Sequence, residues 1–375
     1  MRGTSALLSL LVAGTAVAAP RHPAPRQARV GVVLSATGAG SIYGVSSRRG
    51  VELAVDAVNA AAGPSDPLLE PLYLDDASDT ATGQKAFKKA SRSEKALLIL
   101  GPTLSVVAFA ADPLAQKDGV PVLGVSNTAP GLTAIGDFVF RDSLSEAVAI
   151  PRLVHVVHGA TGFTSAALVT QSADPYTLGA AQAYRAIAAA EGIPILREET
   201  FAKGDTDFTA QLTAIRDASP GAVFLAAFAG DAGAIVKQAR DLGIGASTLM
   251  LGGIGINSPA FLAAAGPAAE GAYVAAAWNA AIPDAQSQAF VAAFTARFGA
   301  APDQYAAQAY AGIQIAYRAI SAAGSVDDRG AVRDALAAIQ ELPTVLGPFS
   351  FTAEREADIE PVVQVVVGGA FTVLP

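Results

Sequence analysis

Hydrophobic positions along this chain change period repeatedly. Residues 29–34 form a short β-branched apolar run, the pattern of a strand buried on both faces. Residues 44–62 follow with Val51, Leu53, Ala54, Val55 and Val58 at helical spacing. The alternation continues with strands at 69–74, 97–100 and 120–124 and helices at 80–95 and 105–118. A second unit of the same kind begins near Ser143. Its strands are expected at 166–169, 195–201, 222–227, 248–251 and 271–277, and its helices at 176–191, 207–218 and 231–242. Ala-rich helices at 287–298 and 304–323, a helix at 330–340, and strands at 349–352 and 362–373 complete the chain.

Such alternation predicts an α/β fold of two Rossmann-like lobes, each a parallel sheet with helices on both faces. Helices that follow a completed second unit predict that the chain crosses back to the first. The expected lobes are therefore discontinuous, 29–143 plus 278–346 and 144–277 plus 347–375. They are joined by three crossovers near Ser143, Trp278 and Gly347, which are expected to act as hinges.

The N-terminus has another pattern. Arg2 precedes an apolar stretch over 6–17, and Ala16-Val17-Ala18 offers small residues at both required positions. This predicts a signal peptide over 1–18, cleaved after Ala18, and hence export to the periplasm. The stretch is shorter than the roughly 20 residues that span a bilayer. The basic, Pro-rich segment 19–28 reads as a leader. The chain has no Cys, so neither a lipoprotein-type anchor nor a disulfide is available, and stability rests on the core. A net charge of −8 without a basic patch argues against nucleic acid as a partner.

In open α/β sheets, ligands bind beyond the carboxyl ends of the strands. After the first strand, Gly38, Gly40 and Gly44 depart from the dinucleotide spacing G-x-G-x-x-G, and an exported protein has no access to the cofactor. No cofactor is expected. The third strand leads into Gly101-Pro102-Thr103-Leu104-Ser105, and the fourth into Val125-Ser126-Asn127-Thr128-Ala129-Pro130. Both offer hydroxyls and free N–H groups at a helix start or a tight turn, a combination that suits a carboxylate. The simpler reading of the same residues is capping by Ser105 and turn chemistry by Asn127 and Thr128. His155 and His158 can share one helix face but have no acidic or Cys partner near them in sequence. No G-x-S-x-G elbow, metal-ligand cluster or paired acid points to an enzyme.

From residue 29 onward the chain resembles the leucine/isoleucine/valine-binding protein family, the periplasmic receptors of branched-chain amino acid ABC transporters, which have the type I periplasmic binding fold. The resemblance is carried by Gly50–Gly63 (GVELAVDAVNAAAG), Leu74–Asp79 (LDDASD), Ile99–Ser105 (ILGPTLS), Gly119–Thr133 (GVPVLGVSNTAPGLT), Phe138–Ser143 (FVFRDS), Asp174–Gly179 (DPYTLG), Phe201–Leu212 (FAKGDTDFTAQL) and Ile235–Ile244 (IVKQARDLGI). Their order and spacing across the chain, more than any single motif, make the match.

The resemblance implies that Ser105 binds a ligand carboxylate and that Ser126 and Thr128 grip both carboxylate and ammonium. It further implies that Tyr43 and Tyr176 face the ligand from opposite lobes, with Phe228 where the family often has Tyr. It implies hinge closure on a small ligand and delivery to a membrane permease, and a monomer is expected because closure needs both lobes free to move. One departure stands out. Amino-acid binders place an acid in the loop after the 248–251 strand, and here the matching position is Ile254. Either Asp231 takes over the pairing with the ligand ammonium, or the ligand has none, as with the aromatic acids, keto acids and amides that some members bind. A sensory role toward a membrane receptor is the alternative to transport.

Overall fold

The computed structural model describes residues 26–374. The expected signal peptide and its cleavage site lie outside the described residues.

The first sheet consists of β1 (Gln27–Leu34), β2 (Leu68–Asp75), β3 (Leu98–Leu100), β4 (Val122–Gly124) and β5 (Val139–Arg141), in spatial order β2-β1-β3-β4-β5 with every pairing parallel. Helices α1 (Ser41–Ala61), α2 (Thr80–Lys88) and α3 (Ser105–Asp118) connect its strands. The expected helix over 80–95 is α-helical only to Lys88, then widens into a π turn over Lys89–Ser93. Near-complete burial of Val30, Val32, Val33, Leu98 and Ile99 shows why β1 and β3 are apolar throughout: helices cover both faces.

The second sheet begins with α4 (Glu146–Thr161) and then β6 (Ala166–Gln171), α5 (Pro175–Ala190), β7 (Ile195–Phe201), α6 (Thr209–Ala218), β8 (Ala222–Ala226), α7 (Ala229–Asp241), β9 (Leu249–Gly252), α8 (Pro259–Ala265) and β10 (Tyr273–Ala276). The chain returns to the first lobe through α9 (Ala285–Phe298), α10 (Gln304–Ala323) and α11 (Arg329–Ala337), with α10 packed along α1. Asp303 caps α10 through the Ala306 amide, and Gly324 ends it at φ +64.

The last crossover differs from expectation. Strands β11 (Leu342–Thr344), β12 (Gly347–Phe351) and β13 (Ala357–Asp358) form a small antiparallel sheet. That sheet belongs with the first lobe. The Arg141 amide donates to the Arg355 carbonyl at 3.3 Å, Arg141 pairs with Glu356, and the rings of Phe140 and Phe351 pack edge-on at 5.3 Å. The chain crosses again between β13 and β14 (Val362–Val367), not at Gly347. The strand expected over 362–373 is a hairpin of β14 and β15 (Ala370–Val373), turned by Gly368 and Gly369 at φ +59 and +78. The hairpin pairs antiparallel with β10, so the second sheet, in order β15-β14-β10-β9-β8-β6-β7, is mixed and not purely parallel.

Among the described residues no helix is long and apolar enough to cross a membrane. His155 and His158 do meet an acid, supplied by the far end of α5: their Nδ1 atoms lie 2.8 and 2.7 Å from the two oxygens of Glu191 and tie α4 to α5.

Candidate functional site

Both sheets present their carboxyl ends to the cleft between the lobes. On the first lobe, glycines allow α1 to start close to that edge. A Cβ on Gly44 would lie 2.2 Å from the Ser35 carbonyl, and one on Gly38, at φ +80, 2.4 Å from that of Ala77. These glycines serve helix–strand approach and not a pyrophosphate.

The loops after β3 and β4 are welded together. Ser126 Oγ donates to the Thr103 carbonyl at 2.9 Å, and Asn127 Nδ2 to that of Pro102 at 2.8 Å. Arg141, buried to 2 % exposure, donates from Nη1 to the carbonyls of Asn127 and Ala129, and Ser143 Oγ donates to Asn127 at 2.6 Å. Ser105 does not cap α3. The N-cap is Leu104, with no side-chain cap bond, and Ser105 Oγ instead accepts the Ala129 amide at 3.3 Å. Its hydroxyl proton and the N-terminal amides of α3 are left for a ligand, which suits an anion.

These loops form one wall of a cavity between the lobes. The first lobe lines it with Tyr43, Thr103, Leu104, Ser105, Ser126, Thr128 and, from the start of α10, Tyr305, and the facing wall carries Tyr176, Phe228 and Gly255. The apolar part is an aromatic cluster. Tyr43 lies 4.7 Å from Tyr305 and 6.4 Å from Phe228, and Tyr176 lies 5.0 Å from Phe228, ring centre to ring centre. Among the described residues no charged side chain lines the cavity.

Tyr43 also joins the lobes. Its hydroxyl donates to the Gly255 carbonyl and accepts from the Ala229 amide, both at 3.0 Å. On the opposite wall, the Tyr176 hydroxyl donates to the Ala227 carbonyl at 3.1 Å. Burial pushes the hydroxyls of Tyr43, Tyr176 and Tyr305 well above the usual tyrosine range, so all three remain neutral donors.

Six of the eight residues expected at the site thus meet around one cavity: Tyr43, Ser105, Ser126, Thr128, Tyr176 and Phe228. Two do not line it. Asp231 accepts from Gln171 Nε2 at 2.9 Å and feels the charge of Lys203, although burial still raises its carboxyl. Ile254 turns its side chain into the core, while its carbonyl accepts from Gln304 Nε2 at 2.9 Å and from the Tyr305 hydroxyl at 3.2 Å. Thr103 and Tyr305 line the cavity without having been singled out. Tyr305 is the second residue of α10, just after Gln304 and the capping Asp303, and the sequence gives no sign that this helix end reaches the cleft.

The further acid that sequence reasoning missed is Glu146. It opens α4 just past the first crossover and has no exposed surface. Its oxygens accept the Ile254 and Gly255 amides at 3.2 and 3.3 Å, and the Thr128 hydroxyl bonds it from the first lobe. Burial pushes its carboxyl up to about 7. Among the described residues no group of His, Asp and Glu is placed to hold a metal ion.

Comparison with known proteins places this geometry. Residues 27–369 match the family model described as periplasmic binding protein. A Leu/Ile/Val-binding protein of Rhizobium johnstonii is 27% identical over 351 residues, covering 92% of each chain. The branched-chain amino acid transporter substrate-binding protein of Streptococcus pneumoniae, solved with isoleucine, is 28% identical, with a TM-score of 0.86 over 93% of this chain and 99% of that one. A solute-binding protein of an R. palustris ABC transporter, solved with benzoate, shares the fold at 24% identity, with a TM-score of 0.82 over 93% and 95% of the two chains. With its type I periplasmic binding fold and its Leu/Ile/Val-binding relatives, the chain belongs to the periplasmic binding protein family.

Proposed function

We propose that this protein is the periplasmic solute receptor of an ABC importer, closing its two lobes on an amino acid or a related small carboxylate. The observation that carries this reading is the cavity itself. One end offers Ser105 and the start of α3 as neutral donors suited to a carboxylate, beside Ser126 and Thr128, whose hydroxyls already bond the Thr103 carbonyl and Glu146. The other end is aromatic, from Tyr43, Tyr176, Phe228 and Tyr305. The ligand docks first on the rigid loops after β3 and β4. The second lobe then swings about the crossovers, Tyr43 meets Gly255 and Ala229, and the site is sealed. The closed form is the one handed to a membrane permease, and no bond is made or broken. The signal-peptide pattern and the names of the relatives support a periplasmic location.

A second reading keeps the pocket and changes the ligand. The apolar lining and the absence of an acid among the lining residues suit an amino-free aromatic acid, and a protein of this fold holds benzoate.

A thermal-shift panel on the mature protein, stripped of bound ligand by unfolding and refolding, tests the proposal. It pairs amino acids with the keto acids of the same side chain and includes benzoate. A ligand at about 100 times its Kd adds roughly 2.7 kcal/mol, a shift of several degrees. Silence across the whole panel would remove the proposal.

A further inference from the structure

Four serine and threonine hydroxyls line the cavity: Thr103, Ser105, Ser126 and Thr128. Each has a single proton to give, and where that proton goes decides which of them can grip an anion. Ser126 and Thr128 give theirs to the protein. The first donates to the Thr103 carbonyl at 2.9 Å and the second to the buried Glu146 carboxyl. Ser105 and Thr103 are wired the opposite way, with their oxygens as acceptors. Ser105 Oγ takes the Ala129 amide at 3.3 Å, and Thr103 Oγ1 takes the Ser35 amide at 2.8 Å. An amide that donates cannot also accept, and among the described residues no other group takes the Thr103 proton. Thr103 is 2 % exposed and lines the cavity, which leaves the cavity as the place for its acceptor.

We propose that Thr103 is a specificity-determining residue of the site, a second hydroxyl donor beside Ser105, and that Asp76 and Ser35 are the residues that position it. The pair selects an ionised carboxylate over the corresponding amide. This rests on the reading of the cavity as a carboxylate site.

The positioning is built from the ends of three strands. Asp76 follows β2 and has no exposed surface. Its Oδ1 accepts the Ser35 hydroxyl at 2.6 Å and the Ser78 amide at 2.8 Å, and the Thr103 amide faces the same carboxyl and favours its ionised form. The loops after β1, β2 and β3 therefore meet on one carboxylate. Ser35 is fixed from both sides: its hydroxyl is tied to Asp76, and its carbonyl lies against α1 at Gly44, where a Cβ would come within 2.2 Å. With Ser35 held, its amide fixes the Thr103 hydroxyl oxygen before any ligand arrives. A donor aimed in advance loses little freedom on binding.

The selectivity follows from counting donors and acceptors. A carboxylate presents two acceptor oxygens to the two hydroxyl protons. An amide presents one oxygen and an NH2 group, so one hydroxyl proton meets an N–H instead of a lone pair. The amide also carries no charge for the N-terminus of α3, which begins at Ser105.

The test is isothermal titration of the full mature protein with three probes, leucine, its keto acid and benzoate, and with leucinamide and benzamide as the amide partners. Wild type is expected to bind the acids more tightly than the amides. Thr103→Val, which removes the hydroxyl and keeps the shape, should weaken the acids by about tenfold or more, the loss of one hydrogen bond to a charged group. The amides should weaken less, so the acid-to-amide ratio falls, a change that general loosening of the loop would not produce. Thr103→Ser should recover most of the loss. Asp76→Ala should weaken the acids, Asp76→Asn should restore part of that affinity through its remaining acceptor, and Thr103→Val should cost little more in the Asp76→Ala background, while Ser105→Ala still adds its full effect there. If Asp76→Ala folds poorly, the ratio in Thr103→Val and its recovery in Thr103→Ser still decide. An unchanged ratio in a folded Thr103→Val would overturn the assignment and leave the carboxylate site intact. Full additivity of Thr103→Val with Asp76→Ala would remove the positioning role. Equal binding of acids and amides by wild type, or binding of none of the probes, would overturn the carboxylate reading as well.

Discussion

Replacing Tyr43 by Phe removes one oxygen and leaves the tilted ring contact with Tyr305 in place. That oxygen serves two groups of the second lobe, accepting from the Ala229 amide and donating to the Gly255 carbonyl, each at 3.0 Å. Ala229 is the first residue of α7, whose N-cap Phe228 offers no side-chain cap bond. Its amide has no other means of satisfaction within its helix. In the closed form of Tyr43→Phe a buried amide and a carbonyl are left facing a ring edge. In an open form both meet water. The penalty therefore falls on closure alone. An unmade buried hydrogen bond costs about 1–3 kcal/mol. Taking about 2 kcal/mol, ligand affinity should fall about thirtyfold. The loss should reside in a faster off-rate, since docking on the first lobe precedes closure. Stopped-flow binding and equilibrium titration with the strongest ligand of the panel read this directly. Affinity within twofold of wild type would refute the latch, and a slowed on-rate with an unchanged off-rate would place the effect in docking.

Further outcomes follow from the same geometry. Glu146→Gln should flatten the pH dependence of the stability of the ligand-free protein. The wild-type carboxyl is raised from its ordinary 4.5 to about 7, so its contribution to stability is complete below pH 4.5 and lost as pH rises through 7, about 3 kcal/mol by pH 8. Denaturant titrations of wild type and variant should diverge over that window, and parallel curves would contradict the burial argument. Ser105→Ala should weaken carboxylate ligands by about five- to a hundredfold, the loss of one hydrogen bond to a charged group, with circular dichroism unchanged. Gly255→Ala should weaken ligand binding by distorting the second-lobe wall, because its Cβ would lie 2.3 Å from the Tyr176 hydroxyl. Tyr176→Phe should restore part of the affinity in the double variant, while full additivity of the two losses would count against direct contact.

Much of the fold was legible because local chemistry marks its ends. Helix α10 was readable to the residue: Asp303 caps it, Gly324 ends it, and an Ala-rich apolar face runs between. Helix α3 likewise runs from Ser105 to Asp118 and stops at Gly119 at φ +62. Short strands were harder. Strand β5 has three residues, too few to show a period. The β14–β15 hairpin was hidden because its two apolar arms read as one run, although Gly368-Gly369 is a turn signal. The shift of the third crossover from Gly347 to beyond Asp358 rests on Arg141, Arg355 and Glu356 meeting across more than 200 residues, a contact no local pattern announces.

At the site, loop position after parallel strands located Ser105, Ser126 and Thr128, and the resemblance added the aromatic wall. Glu146 was illegible for a physical reason. An acid in the first turn of a helix is ordinarily a solvated residue favoured by the dipole, and only tertiary packing puts this one beneath Gly253 and Thr128. Asp231 lies off the cavity lining and accepts from Gln171 at the end of β6.

The central claim is capture of a small ligand by closure of two lobes about the crossovers. The most direct measurement is small-angle scattering on the stripped mature protein, with and without the ligand that most raises its melting temperature. The account predicts a smaller radius of gyration in the bound state, with the difference reduced in Tyr43→Phe. Saturating binding with an unchanged scattering curve would contradict it.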